Sequence, residues 1–297
     1  MINITNVTKT YPNGVQANKN ISLTVAQGEV VGLVGPNGSG KTTLIQQILG
    51  VIKIGCGTIT IDDRENDPSR LAYVPQFPAI YPALTVNETV LAALYYCGYN
   101  KREALGKAEI TLARAGLTSI ANHYAYALSG GQKKLLSFAC ALAQEKQYLI
   151  LDEATAMIDI LSKETIWKLI GEEKDKGTAV LIASHDIPEI KRLCSSFVVM
   201  KNGEIVFRGK PMDLKSDFCR CKITVASIES TMKALLEAGG NFLQNGSEFE
   251  IITDDIAQML LLMQDVAGAS EILALECEHP AFYEGILSII KERAIND

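Results

Sequence analysis

No run of residues in this 297-residue chain approaches the roughly 18 to 20 unbroken apolar positions that a membrane-spanning helix needs. The richest runs, Ala179–Ala183, Phe197–Met200 and Met259–Met263, have the size of a buried strand or a short helical stretch. The opening Met-Ile-Asn-Ile-Thr-Asn-Val lacks both the charged and the apolar region of a secretory leader. Cysteine is sparse and odd in number: seven residues, scattered through a chain too long to depend on a disulfide framework. A reduced, cytosolic protein is the expectation. Excess positive charge is missing too. Twenty-eight basic against 34 acidic residues leave a net charge of −6, so there is no global polybasic footprint and no nucleic-acid partner is expected. Repeats, low-complexity tracts and disordered linkers are absent from the sequence. What remains, 47% apolar and 21% charged residues, suits one large globular domain and a smaller one.

The first two hundred residues alternate strand-like and helix-like stretches. Val30–Val34 is a short apolar strand that enters a glycine-rich turn, and Thr42–Leu49 reads as the helix after it. Tyr148–Leu151, Ala179–Ala183 and Phe197–Met200 are further apolar strands, each followed by polar or turn residues. Such strands, separated by helices, predict a mostly parallel sheet covered on both faces. Met1–Val25 alternates well enough for antiparallel strands beside that sheet, and Lys201-Asn-Gly-Glu204 reads as a hairpin turn. Thr85–Gln144 is predominantly helical, and Thr85-Val-Asn-Glu88 has the spacing of a capping box. The pattern changes near Lys215, which places the domains at 1–215 and 216–297. In the second, Lys222–Ala226, Ile228–Ala238, Asn241–Leu243, Phe249–Thr253, Asp255–Val266 and Glu271–Cys277 read as βαββαβ, the ferredoxin-like order. An amphipathic helix, Ala281–Arg293, is expected to end the chain.

Three segments carry chemistry. Gly35-Pro36-Asn37-Gly38-Ser39-Gly40-Lys41-Thr42, followed by Thr43, fits G-x-x-x-x-G-K-[ST] and sits between a strand and a helix, as a phosphate loop requires. Glycines let backbone N–H groups converge on phosphate oxygens, and the helix start adds a favourable dipole. Lys41 is then expected to bridge the β- and γ-phosphates and Thr42 to place its hydroxyl on Mg²⁺. Tyr148-Leu-Ile-Leu-Asp152-Glu153 is an apolar strand ending in two acids, of which Asp152 can anchor the Mg²⁺ shell and Glu153 can polarise an attacking water. Successive residues point in different directions, so neither acid can do both jobs. Leu128-Ser129-Gly130-Gly131-Gln132 precedes a long helical stretch, and on its own reads as a capping turn with Ser129 as the N-cap.

Together these motifs resemble the nucleotide-binding subunit of ATP-binding cassette (ABC) transporters, over roughly the first 215 residues. The pentapeptide is that family's signature. The resemblance implies a phosphate-loop NTPase of the cassette type, α/β, with a mostly parallel sheet core, an antiparallel β subdomain and a helical subdomain. It also implies ATP and Mg²⁺ as cofactors and ATP hydrolysis as the activity. Gln76 looks like the glutamine that reaches Mg²⁺ and water, His185 like the histidine that contacts the γ-phosphate, and Tyr11 like the aromatic that stacks on adenine. Asp159 falls at the family's D-loop aspartate. Read without the family, Gln76 is an exposed loop residue, His185 a strand-end histidine and Tyr11 an ordinary strand tyrosine. Family members form head-to-tail dimers, in which Ser129, Gly130, Gly131 and Gln132 would close over the nucleotide held by the other subunit.

The segment Tyr73–Thr89 looks most like ATPase subunits of ABC-2 type bacterial exporters, where a small C-terminal α/β domain is also common. There the region around the glutamine receives a membrane permease subunit, so docking is expected near Gln76–Tyr81, with Phe77, Ile80 and Tyr81 as an apolar cluster. The implied location is peripheral, on the cytoplasmic face of the cell membrane. Two departures stand out. The D-loop reads Glu153-Ala-Thr-Ala-Met-Ile-Asp159, where most relatives have Pro at 154 and Ser-Gly-Leu at 156 to 158, and Leu135 replaces a frequent Arg. A soluble cassette protein and an ATP-switched scaffold are the competing readings; the single cassette opposes the first, and intact Glu153 and His185 oppose the second. Cys219, Cys221, Cys277 and His279 could converge on a metal if the ferredoxin-like reading holds, although C-x-C is not the usual ligand spacing and buried thiols are the plainer expectation.

Overall fold

Alternation of apolar and polar residues builds the first sheet. In Ile2–Thr10 (β1) the side chains of Ile2, Ile4 and Val7 are buried. Ile4 to Val7 is an odd step along a strand, and an irregularity there, with Asn6 at φ 51°, returns Val7 to the inner face. Gln16–Val25 (β2) runs antiparallel to β1 and buries Ile21, Leu23 and Val25. Val30–Val34 (β3) is buried along its whole length, as a strand covered on both faces must be. A glycine-rich loop joins it to Lys41–Ile48 (α1). Cys56–Ile61 (β4) then returns to pair with β1 and with Arg64–Glu65 (β5), completing an antiparallel sheet of order β2-β1-β4-β5. The structure, a computed structural model, describes residues 1–65, 67–211, 219–253, 256–278 and 286.

Leu71–Val74 (β6) precedes three helices, Val86–Tyr96 (α2), Lys101–Arg114 (α3) and Gly130–Ala143 (α4). The capping box expected at α2 is formed: Thr85 Oγ1 accepts from Glu88 N–H at 3.1 Å, and Glu88 Oε2 accepts from Thr85 N–H at 2.8 Å. Tyr148–Asp152 (β7), Ile160–Asp175 (α5), Ala179–Ser184 (β8), Ile187–Leu193 (α6), Ser196–Lys201 (β9) and Glu204–Gly209 (β10) follow. Asn202 (φ 50°) and Gly203 (φ 81°) make the β9–β10 hairpin turn. The second sheet has the order β10-β9-β3-β8-β7-β6, parallel except for β10 at its edge. One core joins the two sheets. Ile4 and Ile59 from the first, Leu33, Ile150 and Leu181 from the second, and Ile45 from α1 belong to a single buried cluster. Each such side chain contributes about 1.5–3 kcal/mol by leaving water, so α1 and the loop before it are held on a rigid base.

The chain divides into two compact units, Met1–Pro211 and Met212–Asp297. The second consists of Cys219–Val225 (β11), Ile228–Glu237 (α7), Phe242–Asn245 (β12), Glu248–Thr253 (β13), Ile256–Ala269 (α8) and Ile272–Glu278 (β14). Its antiparallel sheet runs β12-β13-β11-β14, the ferredoxin-like order, around a core of Ile223, Phe249, Ile251, Leu235 and Leu262. The helix expected over 281–293 lies outside the described residues apart from Ile286, which is helical and buried. The side chains of Cys219, Cys277 and His279 also lie outside them; Cys221 is buried in the second core, in register with Cys277. Among the described residues, no cluster of three or more His, Cys, Asp or Glu side chains could hold a metal, and no helix is long and apolar enough to cross a membrane.

Candidate active site

The loop between β3 and α1 takes its shape from backbone that only glycine tolerates. Gly40 has φ 103°, and a Cβ there would lie 2.2 Å from the carbonyl oxygen of Ala17. The same close approach lets Asn18 Nδ2 donate to the Gly40 carbonyl at 3.1 Å. From the other side, Gly203 N–H donates to the Ser39 carbonyl at 3.2 Å. The loop is thus braced by β2 and by the β9–β10 turn. Helix α1 starts without a side-chain cap and without an acidic residue in its first turn. Its leading N–H groups keep their donor capacity and the positive end of the helix dipole, which together suit an anion.

Lys41 is buried, and its Nζ donates to the carbonyls of Gly35 at 2.7 Å and Pro36 at 3.2 Å. Burial lowers its pKa, while the nearby charges of Glu153 and Asp152 oppose that shift. Asp152, at the end of β7, has its pKa raised by burial; a hydrogen bond from the Thr42 side chain works the other way. Around the loop, Asp152 Oδ1, Ser39 Oγ and Asn18 Oδ1 are buried without a hydrogen-bond partner. An orphaned carboxylate oxygen beside a threonine hydroxyl is a hard oxygen donor set, and it fits Mg²⁺.

Glu153 departs from the strand with φ 52°, a left-handed conformation that costs a non-glycine residue about 1–2 kcal/mol. This turn separates its side chain from that of Asp152. Its N–H donates to the Ala183 carbonyl at 2.9 Å, and its Oε2 lies 2.6 Å from His185 Nδ1. A cavity of about 600 Å³ is lined by residues from Asn37 to Thr43 together with Gln76 and Glu153. Its wall also includes Lys19, Ala17 and Gly203, which sequence reasoning had not selected. Asp152 stands behind Thr42, and His185 is joined to the site through Glu153. Tyr11 is adjacent rather than lining: its hydroxyl lies 3.3 Å from Thr43 Oγ1, and Lys9 Nζ lies 5.5 Å from its ring centroid.

Ser129, Gly130, Gly131 and Gln132 do not line this cavity. They form the start of α4, where Ser129 Oγ accepts from Gln132 N–H at 3.2 Å and Gln132 Oε1 accepts from Ser129 N–H at 3.0 Å. The plain capping reading of the pentapeptide therefore holds within one chain. Asp159 caps α5 in the same way, accepting from Ser162 N–H at 2.9 Å, and Leu135 is buried. Phe77 and Tyr81 are 79% and 72% exposed, with Ile80 half-buried beside them. Tyr124 and Tyr126, also exposed, stack at 5.7 Å in a neighbouring segment that is tied to the loop by a bond from Tyr126 N–H to the Pro82 carbonyl. Two residues with polar contacts to this machinery, Asn18 and Lys134, and the cavity-lining Lys19 carried no motif in the sequence. Only their neighbours in space identify them.

Residues 18–156 match the family model described as ABC transporter. The chain is 33% identical over 238 residues to the ABC transporter ATP-binding protein YxlF of Bacillus subtilis, covering 80% of each chain. It is 33% identical over 228 residues to the Nod factor export ATP-binding protein I of Rhizobium etli, covering 75% of this chain and 72% of that one. Among solved structures, the dimeric ATP-binding cassette MJ0796 bound to ADP and Pi in a post-hydrolysis state superposes with a TM-score of 0.65 at 30% identity, over 71% of this chain and 98% of that one. By these matches in sequence and fold the chain belongs to the ABC transporter ATP-binding proteins, which bind and hydrolyse ATP.

Proposed function

We propose that this ATPase drives a separate membrane permease of the ABC-2 exporter type, from the cytoplasmic face of the membrane, as one half of a head-to-tail dimer. The ATPase domain would occupy residues 1–215 and the smaller domain 216–297. The observation that carries the reading is the separation of parts: Lys41 and Glu153 line one cavity, with His185 bonded to Glu153, whereas Ser129–Gly131 lie at a helix start outside it. A complete nucleotide site then requires the pentapeptide of a second subunit. Export is favoured by the Nod factor relative and by the resemblance of the Gln76–Tyr81 segment.

In this reading Tyr11 stacks on adenine, and the amides from Gly35 to Thr43, with Lys41, hold the phosphates. Glu153 orients and deprotonates the attacking water, and His185, hydrogen-bonded to that carboxylate, reaches the γ-phosphate. Thr42, Asp152 and Gln76 would hold Mg²⁺, which when bound neutralises charge on the phosphate oxygens. Phe77, Ile80 and Tyr81 offer the permease an apolar contact, and no nucleic acid takes part. Purification from native membranes is the test. Retention of a multi-span protein, with ATPase activity altered by its presence, is expected. A chain that hydrolyses ATP but never retains such a partner would sink the coupling to transport.

A further inference from the structure

Lys134 lies in the second turn of α4 with its ammonium group half-buried, and among the described residues no carboxylate forms an ion pair with it. Its Nζ donates to two main-chain carbonyls, that of Glu153 at 3.1 Å and that of Ala156 at 2.6 Å. Burial lowers its pKa, and the charges of Glu153 and Glu189 oppose the shift. The bonds fall on the segment that sets the direction of the Glu153 side chain. Glu153 is in the left-handed region, so its conformation must be imposed by its surroundings. Its N–H is fixed to Ala183 and its carbonyl to Lys134, which holds the peptides on both sides of it.

A second contact ties the same two elements together. A Cβ on Gly131 would lie 2.6 Å from Asp159 Oδ2 and 2.9 Å from Ser162 Oγ, so the start of α4 touches the end of the segment that Glu153 begins. Helix α4 therefore grips the stretch from Glu153 to Ser162 near both ends.

We infer that Lys134 is a positioning residue that fastens the Glu153 main chain to the pentapeptide helix and so couples the two nucleotide sites of a dimer. This rests on the head-to-tail reading. The start of α4 engages the nucleotide of one site, while Glu153 acts on the nucleotide of the other. A rigid link between them makes the glutamate's placement depend on whether α4 is engaged. Coupling of this kind needs contiguous parts with two arrangements, and the Lys134 bonds supply the contiguity.

Lys134→Met, which keeps the length and removes the donors, and Lys134→Arg, which restores them, form the test in the full chain. In Lys134→Met, kcat should fall about 10- to 100-fold, the scale of a misplaced catalytic group. The Kd of a fluorescent ATP analogue and the thermal midpoint should stay near wild type, and the Hill coefficient for ATP should drop toward one. Lys134→Arg should recover most of the rate and the cooperativity. A Lys134→Met enzyme with kcat within twofold of wild type would overturn the assignment. So would equal losses in both variants accompanied by a lowered midpoint, since that pattern marks a purely structural lysine. Size exclusion with ATP in a Glu153→Gln background separates the two layers. A dimer retained by Glu153→Gln/Lys134→Met places the kcat loss in the positioning of Glu153. A Glu153→Gln protein that stays monomeric overturns the dimer, and with it the coupling, while the kcat comparison still decides whether Lys134 sets Glu153.

Discussion

His185 Nδ1 lies 2.6 Å from Glu153 Oε2, although the histidine side chain is 63% exposed and the glutamate only 8%. The buried carboxylate is thus reached from solvent through an imidazole. Lys41, Lys134 and Asp152 are charged groups near it. Such an acid can be oriented by the histidine and can still turn toward a water in the cavity it lines.

Replacing Glu153 with Gln keeps the shape and removes the base. ATP should still bind with near-native affinity, because Lys41, Thr42 and the loop amides are untouched. Turnover should fall by about 10² to 10⁴. A nucleotide that is no longer cleaved should hold the dimer closed, so an ATP-dependent dimer should accumulate on size exclusion. Normal turnover in this variant would remove Glu153 from the mechanism.

Asn18 predicts a trade of affinity against stability. Its Nδ2 braces Gly40, but its Oδ1 is buried without a partner. Asn18→Leu loses a bond worth about 0.5–1.5 kcal/mol and removes an orphaned acceptor that costs about 1–3 kcal/mol. The ligand-free thermal midpoint should therefore hold or rise. ATP affinity should weaken by about 3- to 10-fold, roughly 1 kcal/mol, as the loop loses its brace. Calorimetric titration together with a melting curve checks both signs, and a lowered midpoint with unchanged affinity would contradict the bracing role.

Glu173 governs part of the acid limb of stability. Burial works against its charge, but hydrogen bonds from Lys176 at 2.7 Å and Arg114 at 2.8 Å prevail and lower its pKa. Between the folded pKa and the ordinary value near 4.3 the unfolded chain binds more protons, so this contribution is complete above that value and disappears as pH falls through the folded one. Glu173→Gln should cost about 1.5 kcal/mol at pH 7, the low end for a charged bond because both cations are partly exposed. The deficit should shrink on acidification below pH 4. Denaturant midpoints measured from pH 7 downward test this, and a deficit independent of pH would refute it.

Phe77 and Tyr81 can be changed without touching the cavity. Phe77→Ser with Tyr81→Ser should preserve the ATPase rate of the purified chain and release its membrane partner, because a few aromatic side chains dominate such interfaces. Undiminished co-purification with the permease would rule out this loop as the docking surface.

The phosphate loop was legible because its chemistry is local: a strand, a glycine-rich turn and a helix start lie within Val30–Ile48. The hairpins and the βαββαβ order were legible through period and turn residues. The strands β4 and β6 were not anticipated, for two reasons. Cys56–Ile61 begins with Cys-Gly-Thr, and Leu71–Val74 has only four residues, so each is a strand by virtue of its partners. Asn18 and Lys134 were missed for a related reason. A polar residue on a strand and a lysine on a helix read as solvated positions until Gly40 and the Glu153–Ala156 turn are placed against them. The tyrosine pair at 124 and 126 likewise became a surface feature only once Tyr126 was bonded to Pro82.

The bare start of α1 has a consequence for how the molecule uses its ligand. Among the described residues most helices carry their own stopper, as Thr85, Asn100, Ser129 and Asp159 do for α2 through α5. Helix α1 has none, so a bound phosphate serves as its detachable end-piece and completes secondary structure that the polypeptide leaves unfinished. Affinity for nucleotide and integrity of that first turn are then a single thermodynamic quantity, divided between chain and ligand. A side chain that capped α1 well would make a sturdier protein and compete for the donors that its substrate needs.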